Sequence, residues 1–427
     1  MRYLKAFSTT ALFLLVTQIA FAQLGVAPNS GLGLGEIMDK GNVRNIGMGG
    51  IGLSNGSPFY SNVMNPALLV HNSFVVFGAN YLGERKTVEI GDQSIDDMGG
   101  SLLHINFAFP VVRGKYTMGI GLRPYSLVNY KFAKENLIEG TDKFSSIEER
   151  GSGGVSQAYW AHGVKLAKGV SVGLELIYNF GAIKDEKITA PIGPDDVPLR
   201  TLDFVGRTNF ASFSFTPGIV LSHQLDTALF LNFGFTYEKR INANVDYTLE
   251  KERLTDNGSP VDVDSLAVSS ERIVIPESFN FGISLEKTLK YTVGVDFSLQ
   301  KWGDYRNSIN PDKLADAWKL SVGGEFTPDA TSVSSYLKRI TYRTGLRYYN
   351  TPWLESNNAV NDVQIRDIGL NFGLSLPVAR GYSSLNLSFT VGDRGNEAEG
   401  ILKERYYRVG LGVNINDPQW FRRRKFN

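Results

Sequence analysis

The chain of 427 residues carries 44 Lys+Arg against 43 Asp+Glu, a formal charge of +1, and has no cysteine. Balanced charge lacks the basic surplus of a nucleic-acid binder, and the missing thiols exclude disulfide frameworks, thiolate metal sites and cysteine nucleophiles together. Phe (26), Tyr (19) and Gly (45) are abundant, which suits either several soluble domains or one large barrel. The first element, residues 1–22, reads as an export signal: Arg2 and Lys5 supply the positive start, Ala11 to Ala20 the apolar middle, and Ala20-Phe21-Ala22 a small-x-small cleavage site. Cleavage after Ala22 removes Arg2 and Lys5, taking the formal charge from +1 to −1.

Next comes an irregular, glycine-rich stretch, with Gly47, Gly49 and Gly50 at one end and Asn65-Pro66-Ala67 at the other. Those glycines permit positive φ and close backbone approach. Pro66 excludes the helical region for Asn65 and starts a helix at Ala67-Leu68, with Asn65 as its N-cap. Residues 23–71 are therefore expected to fold as a plug, a coil with short helical turns packed inside a barrel wall; the alternative is a periplasmic linker. Gly47-Met48-Gly49-Gly50-Ile51-Gly52 matches a dinucleotide-binding string, but no strand precedes it and no βαβ unit follows, so that reading is rejected.

Beyond His71 the hydrophobic period is two. Val293, Val295, Phe297 and Leu299 share one face and Gly294, Asp296, Ser298 and Gln300 the other; the last segment sets Tyr407, Val409, Leu411, Val413 and Ile415 opposite Arg408, Gly410, Gly412 and Asn414. Each is a ribbon with one greasy and one polar side. Past residue 25 no apolar run approaches the roughly 18–20 residues of a membrane helix, so any membrane insertion must use strands. Fourteen strands are predicted, at 72–84, 100–112, 115–131, 154–167, 170–183, 203–222, 226–240, 273–287, 290–305, 316–328, 337–350, 362–377, 381–392 and 403–416. Tight turns such as Arg113-Gly114, Lys168-Gly169 and Ala379-Arg380 alternate with long polar loops at 132–153, 184–202, 241–272 and 351–361. Only 329–336 breaks the rhythm. Short periplasmic turns and long external loops are the habit of outer-membrane barrels, as are aromatic girdles, here drawn from Tyr125, Tyr130, Trp302, Tyr305, Tyr348, Tyr349 and Trp353. The fold class is all-β: a transmembrane antiparallel up-and-down barrel spanning 72–416, followed by a basic, aromatic periplasmic tail at 417–427.

The combination of Arg44, Gly47, Met48, Gly49 and Gly50 with Asn65-Pro66-Ala67-Leu68 resembles the N-terminal region of the FadL-type outer-membrane transporters of long-chain fatty acids and other hydrophobic compounds. The resemblance covers the mature chain in layout. It implies a hatch inside the barrel, capture of a hydrophobic ligand near the outer surface, an apolar lumen pocket, and sideways release into the bilayer beside a kinked strand. Where that family often has an aromatic residue before Asn-Pro-Ala, this chain has Val63-Met64. The same signature is similar to the FadL-related barrels that serve as shuttles in type IX secretion.

Candidate ligand-lining residues are Met48, Phe59, Tyr60 and Met64, with Arg44 pairing either a lumen carboxylate or a carboxylate ligand. Pro124 interrupts the third strand and marks the candidate lateral opening, an ordinary bulge being the alternative, because proline cannot donate to the ladder. Pro217 and Pro276 carry the same ambiguity. The four histidines (His71, His104, His162, His223) lack paired ligand spacing, and Asp96-Asp97, Glu148-Glu149-Arg150 and Asp195-Asp196 read as solvated loop charges. No metal site, cofactor or Ser/His/Asp grouping is expected, so the chain is not read as an enzyme. The expected function is uptake of hydrophobic small molecules in the outer membrane by lumen binding and lateral release, with lipid and a hydrophobic ligand as partners. The alternative is a scaffold or shuttle bound to a partner protein in a secretion or assembly complex.

Overall fold

The computed structural model describes residues 24–90, 93–137, 144–191, 201–255, 259–356, 362–378, 383–395 and 402–417. The export signal and its cleavage site, Asp195-Asp196, the Ala379-Arg380 turn and the basic tail lie outside the described residues. After a two-residue strand β1 (Glu36–Ile37) and a short helix α1 (Val43–Gly47) the chain builds long strands: β2 (Val75–Ile90), β3 (Gln93–Val112), β4 (Tyr116–Leu137), β5 (Phe144–Ala167), β6 (Val170–Pro191), β7 (Leu202–Asp226) and β8 (Leu229–Glu238). A hairpin of β9 (Ile241–Leu254) and β10 (Pro260–Ile275) leads to β11 (Ser278–Lys287) and β12 (Tyr291–Gln300). After the two-residue β13 (Arg306–Asn307) come β14 (Ala317–Phe326), a helical turn α2 (Tyr336–Arg339), β15 (Thr341–Ser356), β16 (Asp362–Val378), β17 (Ser383–Arg394) and β18 (Lys403–Asp417). Fourteen of these, β2–β8, β11, β12 and β14–β18, form an antiparallel ring closed by β18 pairing back onto β2, from Lys403↔Glu89 to Asp417↔Val75.

The burial pattern is the reverse of a soluble protein's. On β18 the apolar row Tyr407, Val409, Leu411, Val413 and Ile415 is 40–53% exposed, while Tyr406, Arg408, Asn414 and Asn416 on the other face are buried. The same holds on β16, where Ile368, Leu370 and Phe372 are exposed and Asp367 and Asn371 buried. Apolar side chains facing outward around a closed ring belong against lipid; a sandwich would have hidden them.

Two expectations are corrected. Parts of the predicted loops are strand: Phe132 to Leu137, Phe144 to Gly153 and Lys184 to Pro191 extend β4, β5 and β6, and residues 241–272 form most of the β9–β10 hairpin. The hairpin continues the wall, since β7 pairs β8 along Gly218–Asp226 and β9 along Leu202–Phe210. Alternation is present there too, as Ile241, Ala243 and Val245 are buried between exposed Asn242, Asn244 and Asp246, so polar composition hid a strand. Second, Trp302, Tyr305 and Trp353 are not girdle residues. They are buried with Leu34, Val128 and Ile365 in an apolar cluster at the long-loop end of the ring.

One junction of the wall is incomplete. β3 pairs β4 only between Ile105↔Leu122 and Val112↔Tyr116; above that level, among the described residues, β3 holds β2 and β4 holds β5. The departure sits at Pro124, where the β4–β5 register shifts between Pro124 and Ser126.

Candidate functional site

The N-terminal residues 24–72 touch inward-facing positions around the whole ring, and their local structure is set by asparagines and glycines. Asn42 caps α1, accepting from Arg44 N and Asn45 N, while the Asn45 side chain accepts from Asn42 N, a reciprocal box that satisfies helix-end donors. Asn65 accepts from Ala67 N (3.0 Å) and donates to Leu53 O (3.0 Å) and Ile219 O (3.1 Å), joining two parts of the segment to β7. Gly49 and Gly50 have φ of +74° and +93°. Gly47 packs against Gly373, and Met48 lies so close to the wall that a Cβ on Gly345 or Gly323 would come within 2.2 Å of its carbonyl group. Glycines on the wall therefore admit the segment's backbone.

Further toward the N-terminus the segment lies along the incomplete junction. β1 pairs with Leu127 and Ser126 of β4, Ala27 N donates to Asn129 O (2.8 Å), Met38 N to Tyr125 O (2.9 Å), and Val26 N to the Asp97 carboxylate on β3 (2.6 Å). Leu24 and Met38 pack with Val43, Leu82 and Leu103. At the base of the junction Arg123 makes a bidentate pair with Glu175 (2.9 Å for both bonds) and donates to Gln157.

Beside this seam lies a cluster of five cations and five carboxylates, seven of them buried and three, Asp39, Lys319 and Arg347, half-buried. Glu36 accepts from Arg394 and Arg408, and Lys86 Nζ stands 3.4–3.6 Å from Glu36, Glu84 and Glu404. Arg394 also reaches Asp367 (3.0 Å) and Glu404 (3.1 Å), and Arg408 reaches Glu84 (2.5 Å). Asp39 pairs with Lys319 and Arg347, and Arg347 with Asp367 (3.3 Å), whose carboxylate also accepts from the Tyr406 hydroxyl (2.6 Å). Burial alone would raise the Glu36 carboxyl, but Arg394, Lys86 and Arg408 outweigh it and hold it well below the ordinary carboxylate range. The Asp39 carboxyl is likewise lowered, because Lys319 and Arg347 overcome its burial. In so dry a place removing one partner strands the other, so the cluster clamps the segment to β2 and β14–β18. Sequence reasoning missed it, although Glu84 and Lys86 stand on the inward row with Leu82.

The predicted lining residues fall into different places. Met64 borders a cavity of about 110 Å³ between the segment and the wall, with Met38, Leu82, Leu103, Pro124 and Tyr125 on one side and Glu36, Asp39 and Arg394 on the other. Arg44, Phe59 and Tyr60 border a larger cavity of about 630 Å³ at the short-turn end. Arg44 pairs with the Glu325 carboxylate (2.6 Å) and lies over the Tyr60 ring, and Phe59 stacks on Phe74. Met48 is fully buried and borders neither. Gly47 and Gly49 lie against the wall, Gly49 and Gly50 also border the smaller cavity, and Pro66 and Ala67 open the helical turn that Asn65 caps. Among the described residues no grouping of His, Asp and Glu is arranged to hold a metal ion.

The fold has solved counterparts. A Pseudomonas aeruginosa FadL homologue superposes with a TM-score of 0.57 at 14% identity, covering 90% of this chain and 99% of the other. The Ralstonia pickettii toluene transporter TbuX gives 0.54 at 12% identity over 88% and 99%, and the CymD monoaromatic hydrocarbon channel 0.50 at 14% over 90% and 98%. At such identities the likeness is one of fold, that of FadL-type outer-membrane barrels. A search of curated proteins finds no match. A family model described as BamG aligns with residues 4–427, nearly the whole chain, and the protein belongs to that family.

Proposed function

We propose that this protein is a plugged outer-membrane barrel that serves as a partner-binding scaffold in a secretion or assembly complex. In this reading residues 1–22 are a cleaved export signal, 23–71 are the plug, 72–416 the barrel and 417–427 a periplasmic tail. The observation that carries it is the state of the lumen: five cations and five carboxylates neutralise one another across it, and the cavity beside them is only about 110 Å³. Drug-sized ligands occupy roughly 300–1,000 Å³, so a long-chain fatty acid does not fit there without displacing buried ion pairs. A barrel shut by such pairs offers partners its surfaces. Native mass spectrometry on mildly solubilised outer membrane tests the reading: a stoichiometric protein partner is expected, and protein carrying only a small apolar ligand contradicts it.

A second reading is favoured by the seam. The apolar side of the small cavity, Met38, Leu82, Leu103, Pro124 and Tyr125, lies just inside the junction of β3 and β4. An apolar cavity on the order of 150 Å³ holds one benzene ring, so the space, at about 110 Å³, approaches that of a single ring of the class named for TbuX and CymD. Lateral release beside Pro124 would follow withdrawal of residues 24–38. A rise in Tm with toluene that Leu103→Trp abolishes supports this reading, and no rise counts against it.

A further inference from the structure

Above the ring, at the long-loop end, one strand of the wall has an open side. β8 and β11, ten residues each, are long enough to cross the hydrocarbon, so the β9–β10 hairpin that continues them stands beyond it. β9 is paired on both sides, with β7 and with β10. β10 is paired on both sides only at its base, where β13 meets Ile273 and Val274. From Val261 to Ser270, among the described residues, no strand adjoins the side of β10 that faces away from β9. The base shows which backbone groups point that way. Arg272 N donates to the Ser308 hydroxyl (3.0 Å) and Arg272 O accepts from Ser308 N (3.2 Å), so both turn from β9. Such groups alternate along a regular antiparallel strand, and the register is unbroken from Ala267 to Ile275. Val268 and Ser270 therefore each hold out an N–H and a C=O to the open side. Sheets commonly blunt an edge with proline, bulges and charge; here Pro260 and the register shifts beside Val261 and Leu266 lie toward the tip and leave 267–272 regular. Val261, Val263, Leu266 and Val268 are 49–76% exposed.

We propose that this edge of β10 takes up an extended segment of a partner polypeptide as an added strand, apolar where it lies beside Val263 and Val268 and basic where it lies beside Asp262, Asp264 and Glu271. Another strand supplies the alternating donors and acceptors that such an edge lacks. Val263 and Val268 share one face, since they stand opposite Glu252 and Thr248 of β9; Asp262, Asp264 and Glu271, opposite Arg253, Lys251 and Val245, share the other. Strands β9 and β10 together carry six acids against Lys251, Arg253 and Arg272, so an acidic segment meets like charge and a basic one is favoured. A second copy suits the edge less. Copies in one membrane point the same way, so β10 would lie parallel to its twin, with Asp262 and Asp264 beside their own counterparts. The proposal deepens the scaffold reading by giving its partner a chemistry, and rests on that reading for the occupant in the cell.

Fluorescence anisotropy with the purified full-length protein in neutral detergent tests this. The probes are a labelled peptide, Thr-Val-Lys-Val-Lys-Val-Thr with blocked ends, and its counterpart with Glu in place of Lys. Ser270→Pro deletes one edge N–H and leaves the ladder to β9 intact, because proline is tolerated where its missing donor faces outward; Ser270→Ala keeps the donor. The lysine peptide binds about tenfold or more tightly than the glutamate peptide. Ser270→Pro weakens it about tenfold, the upper worth of one hydrogen bond, and Ser270→Ala leaves it unchanged. Heat-modifiable migration checks the fold of both variants. No binding of the lysine peptide, equal binding of the two peptides, or unchanged affinity in Ser270→Pro overturns the proposal. So does a dimer that Ser270→Pro dissociates, which gives the edge to a second copy. Failure of the scaffold reading would appear separately, as protein extracted without a partner while the lysine peptide still binds.

Discussion

A single oxygen of Glu36, on the segment that enters the barrel, accepts from Arg394 of β17 and from Arg408 of β18, each at 2.8 Å. Both arginines are buried and each has one further carboxylate partner or more. Replacing Glu36 by Gln keeps the shape but removes the charge that ties the segment to the wall. Breaking a buried pair from one side costs about 3–5 kcal/mol. Limited proteolysis should then cut between residues 24 and 40 while the barrel keeps its heat-modifiable migration; an uncut segment would show that the cluster is not the clamp.

The same contact sets a pH dependence. The Glu36 carboxyl lies well below its reference value of 4.5, as Arg394, Lys86 and Arg408 offset its burial. A carboxyl depressed in the folded state contributes stability that is complete above its unfolded pKa and is lost as pH falls through the folded one. Protease resistance of the segment is therefore expected to hold from about pH 8 to about pH 5 and to decline only below roughly pH 4. Release near neutrality would contradict the assigned direction.

Close backbone packing yields a steric test. A Cβ on Gly345 would come 2.2 Å from the Met48 carbonyl carbon, whereas on Gly83 the nearest atom, Val409 O, is 3.8 Å away. Gly345→Val should lower the unfolding free energy by about 1–3 kcal/mol or more through overpacking, with Gly83→Ala near wild type. Urea midpoints in detergent compare the two.

Asn65 makes three bonds at once, one accepted and two donated. Asn65→Ala removes a helix cap and uncovers buried carbonyl groups, a loss of about 2–4 kcal/mol. Asn65→Asp keeps the acceptor for Ala67 N but cannot donate to Leu53 O or Ile219 O, so it should destabilise as well. An unchanged denaturation midpoint in both variants would remove Asn65 from the framework.

The wall was legible because its period is written locally. Val293 to Leu299 and Tyr407 to Ile415 alternate within one strand, and their fourteen-strand count matches the ring. Strand ends were harder, since Ile241 to Tyr247 alternates inside a stretch whose composition looks like loop. Pro124 reads as an interruption of its strand; β4 instead runs on through it with a register shift between Pro124 and Ser126, and the β3–β4 pairing ends nearby at Leu122. The charge cluster was not legible, because its contacts join residues as far apart as Glu36 and Arg394, 358 positions along the chain. Trp302, Tyr305 and Trp353 misled for a related reason: a strand end shows that an aromatic is near the rim, but only tertiary packing decides which side it faces.

The central claim is that the lumen is shut by the charge-clamped N-terminal segment. Planar-bilayer recording of the purified protein tests it most directly. Wild-type protein should leave the membrane at background conductance, and Glu36→Ala combined with Arg394→Ala should produce open events. Steady open-pore conductance from the wild-type barrel would contradict the account.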